Sequence, residues 1–386
     1  ARRYGRVRTM NLSDLTLIVA AGGKSTRMGQ DKRFLPLDGE PLLARTLRKG
    51  RTAGFHSIVL AAEGAQEDLT TLAAEYGAML VTDEIPAQGP AAAIAAGLSA
   101  AETEWSLVLS ADMPFYDFEL ARTLLPYADG DTQVILPTLS GYWQPLAALY
   151  RRDAGTAFAA AIARGDRKLG LILRELVVRE VPLTVDAGLL FNVNTPAAYR
   201  LAQGRLANEQ RTKPILSVAA PASGTGKTTF IEKLIPRLAQ RGVRTAVIKS
   251  DSHGFDLDTE GKDTARFAEA GAEAVVVSSP TGYFIQQKTN CRKGFQNLVA
   301  KLDTHSVELY ITESRSRGTL PTLMLDRGMG TPELDERVVA YFTKGRTVET
   351  DLLTFDLDDM DTAVRLALFL MGRPLYGADG EMFLTM

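Results

Sequence analysis

Residues 217–229 read Ser-Val-Ala-Ala-Pro-Ala-Ser-Gly-Thr-Gly-Lys-Thr-Thr, and they decide the fold of the second half of the chain. An apolar strand pattern precedes the glycines and an amphipathic helical pattern follows them. Successive N–H groups of such a loop, together with the helix N-terminus, bind phosphate groups. Lys227 would reach the β- and γ-phosphates of a nucleotide, and Thr228 would ligate Mg²⁺. The predicted nucleotide contacts are Ser223, Gly224, Thr225, Gly226, Lys227, Thr228 and Thr229, although Pro221 stands where the motif has its first glycine.

A different glycine-rich stretch follows an apolar run near the start of the chain. Residues 20–32 read Ala-Ala-Gly-Gly-Lys-Ser-Thr-Arg-Met-Gly-Gln-Asp-Lys. Glycines let backbone N–H groups approach phosphate oxygens, and Lys24, Arg27 and Lys32 add positive charge close by. The spacing differs from that of dinucleotide-binding loops. It also differs from the phosphate-loop motif that residues 221–229 resemble, which is called the phosphate loop below. The stretch therefore does not indicate a dehydrogenase or a classical ATPase. The pattern predicts a cradle for a triphosphate.

Strand patterns alternate with longer helical patterns along the whole chain, which predicts parallel α/β sheets. In the first half we expect strands at 15–21, 57–62, 79–82 and 105–110, and helices at 41–53, 66–76 and 90–101. In the second half we expect strands at 215–220 and 243–248 and a helix at 228–240.

A polar stretch, residues 203–213, lies between the two series and has the composition of a linker. We therefore predict a first domain at 10–207, a linker at 208–213 and a second domain at 214–386. Because the stretch carries little apolar surface, we expect the two halves to be separable there. Residues 1–9 are rich in arginine, and we expect them to be a disordered or vector-derived arm.

Composition excludes several classes of protein. The 386 residues include 44 Lys and Arg against 46 Asp and Glu, so no overall positive field attracts nucleic acid or an anionic membrane. The single cysteine, Cys291, cannot form an internal disulfide, and no cysteine pair is present to bind zinc. No apolar run approaches the roughly 20 residues that span a bilayer. We expect a cytoplasmic protein with no nucleic-acid or membrane partner.

Other polar residues of the first half follow its strands. Asp112 comes just after the strand at 105–110, and open α/β sheets bind ligands at the carboxyl ends of their strands. A carboxylate beside a triphosphate is a natural Mg²⁺ ligand. Residues 191–196, Phe-Asn-Val-Asn-Thr-Pro, carry two amides and no ionisable base, which suits recognition rather than proton transfer.

Taken in order, these motifs of the first half resemble the molybdenum cofactor guanylyltransferases over nearly all of residues 14–202. The resemblance rests on residues 20–32, Asp83, Gln88-Gly89-Pro90, Asp112-Met113-Pro114, residues 141–150 and residues 192–196. It implies a Rossmann-like nucleotidyltransferase fold of three layers. The implied nucleotide contacts are Ala20, Ala21, Gly22, Gly23, Lys32, Asp83, Gly89 and Asp112. It further implies Lys32, Arg27 and Asp112 as catalytic residues, Asp112 as the Mg²⁺ ligand, and Asn192 and Asn194 as pterin contacts.

The reaction that this resemblance implies is transfer of GMP from GTP to the terminal phosphate of molybdopterin or molybdenum-molybdopterin, with release of pyrophosphate. The nucleophile is already anionic near neutral pH, so the protein must supply positioning and charge stabilisation rather than a base. Two alternatives remain open. One is a cytidylyl- or sugar-phosphate nucleotidyltransferase, and the other is a non-catalytic nucleotide-binding carrier of the cofactor.

The second half resembles the molybdopterin-guanine dinucleotide biosynthesis adaptor proteins over roughly residues 213–372. Besides the phosphate loop, the resemblance rests on Lys249, His253, Asp256, Asp258, residues 261–264, Arg266, residues 270–272 and Ile311-Thr312-Glu313. It implies a three-layer P-loop NTPase fold that binds GTP, with Glu313 as a second Mg²⁺ ligand. Ser314-Arg315-Ser316 departs from the Gly-Phe-Lys that often follows this glutamate, so we expect weak GTP hydrolysis. Molybdoenzyme-specific chaperones and a second copy of the chain, bound through this half, are further partners that the resemblance admits.

Overall fold

The computed structural model of the chain describes residues 10–21, 31–64, 66–83, 89–249, 274–280, 282–287, 306–314 and 320–384. The strands of the first half are β1 (Thr16–Ala21), β2 (Pro36–Leu37), β3 (Glu40–Pro41), β4 (Ser57–Glu63), β5 (Met79–Asp83), β6 (Trp105–Ser110), β7 (Val134–Leu139), β8 (Tyr142–Trp143), β9 (Ala147–Arg151) and β10 (Val178–Pro182). Its α-helices are α1 (Leu42–Ala53), α2 (Glu67–Glu75), α3 (Pro90–Ala100), α4 (Glu119–Leu124), α5 (Ala154–Ala163), α6 (Leu169–Leu173) and α7 (Pro196–Glu209).

The first half is built on an eight-stranded sheet in the order β10-β7-β9-β6-β1-β4-β5, with β8 paired to β7. Strands β5, β4, β1 and β6 run parallel, and β9 lies antiparallel between β6 and β7. The β1 register pairs Ala20 with Ser110 of β6, so the loops that follow these two strands leave the same edge side by side.

Alternate residues of these strands point to opposite faces of the sheet, and both faces are buried. On β1, Leu17 and Val19 join a core with α1, α2 and α4, whereas Ile18 and Ala20 join a second core with α3 and α5. Helices therefore cover the sheet on both sides. The predicted three-layer α/β architecture of this half is confirmed.

The described strands of the second half are β11 (Ile215–Ala219), β12 (Thr245–Lys249), β13 (Ala274–Ser279), β14 (Gly282–Gln287), β15 (Leu309–Ser314), β16 (Thr322–Asp326), β17 (Val338–Thr343) and β18 (Leu353–Asp356). Its described α-helices are α8 (Lys227–Gln240), α9 (Met360–Leu370) and α10 (Ala378–Leu384). Six strands form a parallel sheet in the order β12-β15-β11-β16-β17-β18. Strands β13 and β14 pair only with each other among the described residues.

The predicted α/β organisation of both halves is confirmed, and element boundaries fall within about two residues of those expected. The expectation of a parallel sheet is wrong for the first half, where β9 pairs antiparallel with β6 and β7, because the connection from β7 to β9 is too short for a parallel crossover. Among the described residues, no α-helix combines the length and the apolar character needed to span a bilayer.

The polar stretch between the halves differs from its prediction. Residues 203–209 are the last two turns of α7, and only residues 210–214 connect this helix to β11. Leu201 and Leu206 of α7 are buried in one apolar core with Leu216 of β11 and Phe369 of α9. The expectation of little apolar surface here is wrong, because Leu206 lies in this core and the polar residues Arg205 and Asn208 are themselves buried on the same helix. The division of the chain near residue 208 stays a prediction.

Asn208 joins α7 to the second half through hydrogen bonds of its side chain. Its side chain is 2% exposed, and its Nδ2 donates to the carbonyls of Ile215 (3.1 Å) and Leu370 (3.0 Å). Its Oδ1 accepts from the Ile215 amide at 3.1 Å. One buried amide thereby satisfies backbone groups of α9 and of the start of β11, where unpaired groups would be costly.

We expect Asn208→Leu, which keeps the shape of the side chain, to lower the free energy of unfolding by about 3 kcal/mol, since three buried backbone groups lose their partner. Urea unfolding followed by circular dichroism measures the change. Gln203→Leu, at an exposed amide of the same helix, is the matched control and should change stability by less than about 0.5 kcal/mol. Equal stability of the two variants would contradict the bridging role of Asn208.

Candidate functional site

The first candidate site lies at the carboxyl edge of the first sheet, where β1 and β6 end. The amide of Ala111 donates to the carbonyl of Ala20 at 3.1 Å, so the two strands stay paired up to their last residues. The predicted contacts Gly22, Gly23 and Arg27 lie outside the described residues, whereas Ala20 and Ala21 are the buried end of β1.

Three predicted site residues meet at this edge, although they are far apart in sequence. The Lys32 ammonium forms an ion pair with Oδ2 of Asp112 and donates to Oδ1 of Asn194 at 2.7 Å. Asp112 is 5% exposed, and its Oδ1 accepts from the Ser110 hydroxyl at 2.6 Å. Each carboxylate oxygen of Asp112 thus has a donor, and the lysine is held between two acceptors.

The backbone joins the same two loops. The amide of Val193 donates to the carbonyl of Asp112 at 2.9 Å, one residue before Asn194. Asn192 does not join this cluster, because its Nδ2 donates to the Leu190 carbonyl at 3.0 Å. The structure therefore brings one of the two predicted pterin contacts to Lys32 and turns the other toward its own loop.

Arg33 is a residue of this site that the motifs did not indicate. It is 4% exposed, pairs with Asp31 through Nε (2.8 Å to Oδ1), and donates from Nη1 to the carbonyl of Ala21 at 3.2 Å. Burial raises the pKa of Asp31, but the hydrogen bonds and charge of Arg33, with the charge of Lys32, outweigh it and hold that pKa below its usual range. Arg33 thus ties the residue after the glycine-rich loop to the residue before it, which fixes both ends of the loop.

Two other predicted nucleotide contacts lie along the same edge. Asp83 is the last residue of β5, in register with Glu63 of β4, and its side chain lies outside the description. Gly89 has φ of 70° and immediately precedes Pro90, the first residue of α3. A positive φ is strained for side chains other than glycine, so this residue type is required at the helix start.

The second candidate site is the loop between β11 and α8. Gly224 and Gly226 have φ of 75° and 96°, a left-handed conformation that turns the chain sharply into the helix. Thr225 is fully buried, and its Oγ1 donates to the Ala222 carbonyl at 2.8 Å. Lys227, the first residue of α8, is 8% exposed, with its ammonium 3.5 Å from the same carbonyl. The loop therefore curls around its own lysine, as the motif predicts.

Thr228 and Glu313 meet beside this loop. The Thr228 hydroxyl lies 3.2 Å from both carboxylate oxygens of Glu313, near the end of β15. The parallel pairing of β15 with β11 causes this contact, since the register sets Glu313 opposite Val218. The predicted pair of Mg²⁺ ligands is thus adjacent.

Arg327 is a second residue that sequence reasoning missed. It follows β16, and its guanidinium lies so close to Gly226 that a Cβ built on the glycine would be 3.3 Å from Nη2. The preceding residue, Asp326, is fully buried and accepts from the Gly328 amide at 2.7 Å and from Nη1 of Arg346 at 3.3 Å. These bonds fix the turn that carries Arg327 over the phosphate loop.

Most of the remaining motif residues of the second half lie outside the residues that the structure describes. Lys249 is the exposed last residue of β12, while His253, Asp256, Asp258, residues 261–264, Arg266 and residues 270–272 lie outside the described residues. Within the described ranges, no three His, Cys, Asp or Glu side chains are grouped so that they could hold a metal by themselves.

Comparison with known proteins assigns each half to a family. Residues 17–181 match the family described as MobA-like NTP transferase domain, and residues 215–343 match the family described as molybdopterin guanine dinucleotide synthesis protein B. A "probable molybdenum cofactor guanylyltransferase" of Natronomonas pharaonis is 33% identical over 202 residues, which are 50% of this chain and 100% of that protein. A molybdopterin-guanine dinucleotide biosynthesis adapter protein of Haemophilus influenzae is 34% identical over 148 residues, 38% of this chain and 82% of that protein.

Among solved structures, molybdopterin-guanine dinucleotide biosynthesis protein A of Archaeoglobus fulgidus is 26% identical, with a TM-score of 0.43. That match covers 50% of this chain and 99% of the other. From the two families and the relatives in each, we conclude that the first half of the chain belongs to the molybdenum cofactor guanylyltransferases and the second half to the molybdopterin-guanine dinucleotide biosynthesis adapter proteins.

Proposed function

We propose that the first half transfers GMP from GTP to the terminal phosphate of molybdopterin or molybdenum-molybdopterin, and that the second half binds GTP as an adaptor. The observation that carries the proposal is the convergence of Lys32, Asp112 and Asn194 at the carboxyl edge of the first sheet. Membership of the guanylyltransferase family supports GTP over CTP or a sugar nucleotide as the substrate.

The reaction forms a bond between a phosphate oxygen of the pterin and the α-phosphorus of GTP. The bond from that phosphorus to the bridging oxygen breaks, and pyrophosphate leaves with the electron pair. No base is needed, because the nucleophile is already an anion. What must be supplied is alignment of the two phosphates and positive charge where the negative charge is concentrated.

Lys32 would supply that charge. Its ammonium is held between the Asp112 carboxylate and the Asn194 amide oxygen, 2.7 Å from the latter. These acceptors hold the side chain in one position before the substrate binds, so little rotamer entropy is lost at the reacting phosphate. Asn194 would align the pterin, and Asn192 would act indirectly, by holding its loop through Leu190.

Asp112 fits the role of a Mg²⁺ ligand. Its carboxylate already pairs with a cationic group and is oriented by Ser110, and Mg²⁺ in nucleotide sites needs only one or two carboxylates besides phosphate oxygens and water. When bound, Mg²⁺ would act as a Lewis acid that withdraws charge from the phosphates. At the second site Thr228 and Glu313 offer a hydroxyl and a carboxylate, which are likewise oxygen ligands.

In the second half, Lys227 and Arg327 would both contact the phosphates of GTP. Lys227 lies inside the loop and Arg327 over Gly226. Hydrolysis would be slow, because Ser314-Arg315-Ser316 stands where Gly-Phe-Lys often follows the glutamate. The site would therefore hold GTP rather than turn it over rapidly.

For the transferase site, we expect Lys32→Ala to lower kcat by about 10² to 10³, the scale for loss of one electrostatic stabiliser. Release of pyrophosphate from purified GTP and molybdopterin measures it, with CTP as the comparison nucleotide. Lys168→Ala, at an exposed lysine remote from the site, is the control. An unchanged rate for Lys32→Ala would remove Lys32 from the mechanism, and faster transfer with CTP would favour the cytidylyl alternative.

For the adaptor site, we expect Lys227→Ala and Arg327→Ala each to weaken GTP binding at least tenfold, about 1.4 kcal/mol. Calorimetry with GTP should show two binding events for the parent and one for Lys227→Ala, with transferase activity retained. Arg237→Ala, at an exposed arginine of α8, is the matched control and should leave both events unchanged. If Arg327→Ala also binds like the parent, Arg327 contacts no phosphate.

A further inference from the structure

The two loops that carry Asp112 and Asn194 share a buried feature. Each places a phenylalanine three residues from its polar side chain, Phe115 after Asp112 and Phe191 before Asn194. Phe115 is 7% exposed and Phe191 fully buried, and their ring centroids are 6.3 Å apart. Each loop is therefore anchored by a buried ring close in sequence to its polar residue.

The partners of these rings come from the second half of the chain. Phe369 of α9 lies 6.0 Å from Phe115, edge to face, and 4.7 Å from Phe191. Phe383 of α10 stacks on Phe369 at 4.6 Å with an angle of 9° between the planes. Phe369 is thus the ring that touches both transferase loops, and Phe383 backs it.

Arg205 of α7 closes this aromatic cluster. Its guanidinium lies 4.3 Å from the Phe115 centroid and 5.1 Å from that of Phe369, in the range of a cation–π contact. Its Nε pairs with Glu209 at 3.0 Å. A buried cation shared by a ring from each half makes the relative position of the two rings specific.

Backbone contacts join the same parts of the chain. The Leu375 amide donates to the Asp186 carboxylate at 2.9 Å, and the Ala187 amide donates to the Leu375 carbonyl at 2.9 Å. Helix α10 approaches this turn so closely that a Cβ built on Gly380 would lie 2.5 Å from the Cβ of Ala187. Residues 186–190, which precede Phe191, therefore pack against residues 375–380 of the second half.

Within the first half, helix α1 holds the Asp112 loop through hydrogen bonds to its backbone. Arg45 Nε and Lys49 Nζ each lie 3.3 Å from the Pro114 carbonyl. Burial lowers the pKa of Lys49 to about 8, with the charge of Arg45 acting in the same direction. The Asn194 loop takes much of its support from the second half, through Phe369, Phe383 and Leu375.

We propose that the second half is a structural part of the transferase site, and that Phe369 and Phe383 are positioning residues for Asp112 and Asn194. The two loops must keep a fixed separation for both acceptors to reach one lysine ammonium, and the rings set that separation. Removal of Phe369 would leave a cavity between the loops, which would then relax toward it. The inference rests on the proposed roles of Lys32 and Asp112.

The test compares Phe369→Ala with Phe342→Ala in the full chain. Phe342 is equally buried in the second half, but it packs on Phe230 of α8, with centroids 5.3 Å apart, near the phosphate loop. We expect Phe369→Ala to lower kcat for GMP transfer at least tenfold, with a change in the KM for GTP below threefold. Phe369→Leu should recover most of the rate, and Phe342→Ala should leave it within threefold of the parent.

Hydrogen exchange gives a readout that does not need activity. The Val193 amide, bonded to the Asp112 carbonyl, reports directly on the contact between the loops. Exchange in peptides covering residues 111–116 and 189–195 should rise at least tenfold in Phe369→Ala and stay unchanged in Phe342→Ala. If the parent transfers no GMP, the proposed function fails and exchange alone decides the inference. Equal exchange in both variants, or full activity of Phe369→Ala, would overturn it.

Discussion

Four phenylalanine rings, two from each half, close the core that the halves share, and the geometry of the transferase site depends on how they pack. Phe115 lies three residues after Asp112, and Phe191 lies three residues before Asn194. Both rings pack against Phe369, which stacks on Phe383. The centre of the interface is an apolar, buried core, to which the buried polar side chains of Arg205 and Asn208 add specific contacts. The packing of an adapter-family half therefore bears directly on the Asp112 and Asn194 loops of the other half.

Each of the two candidate nucleotide sites combines a lysine with nearby oxygen ligands, but the residues come together in different ways. In the second half, most of the phosphate site is local in sequence, since residues 221–229 supply the loop, the lysine and the threonine. In the first half, the lysine, the carboxylate and the amide come from three distant segments. They meet because β1 and β6 are neighbours and because the Val193 amide joins the Asn194 loop to Asp112. The first site is consequently more sensitive to packing at a distance.

This difference explains how far the sequence could predict the structure. Strand and helix periodicities are local, so β1, β6, α3 and α8 were predicted within about two residues. Lys32, Asp112 and Lys227 were predictable because each belongs to a motif. Arg33 and Arg327 were not, because their partners, the Ala21 carbonyl and Gly226, are adjacent only in the folded chain. The composition of residues 203–209 predicted a linker wrongly, because Arg205 and Asn208 are polar but buried in the folded chain.

The shared core is proposed to act on catalysis through the position of Lys32. A double-mutant cycle on kcat for Phe369→Ala and Lys32→Ala, followed with GTP labelled at the α-phosphate, tests it most directly. If the rings act through Lys32, the loss of Phe369 should cost at least tenfold in the parent and less than threefold once Lys32 is already alanine. Fully additive effects of the two substitutions would show instead that the aromatic core and the lysine act independently.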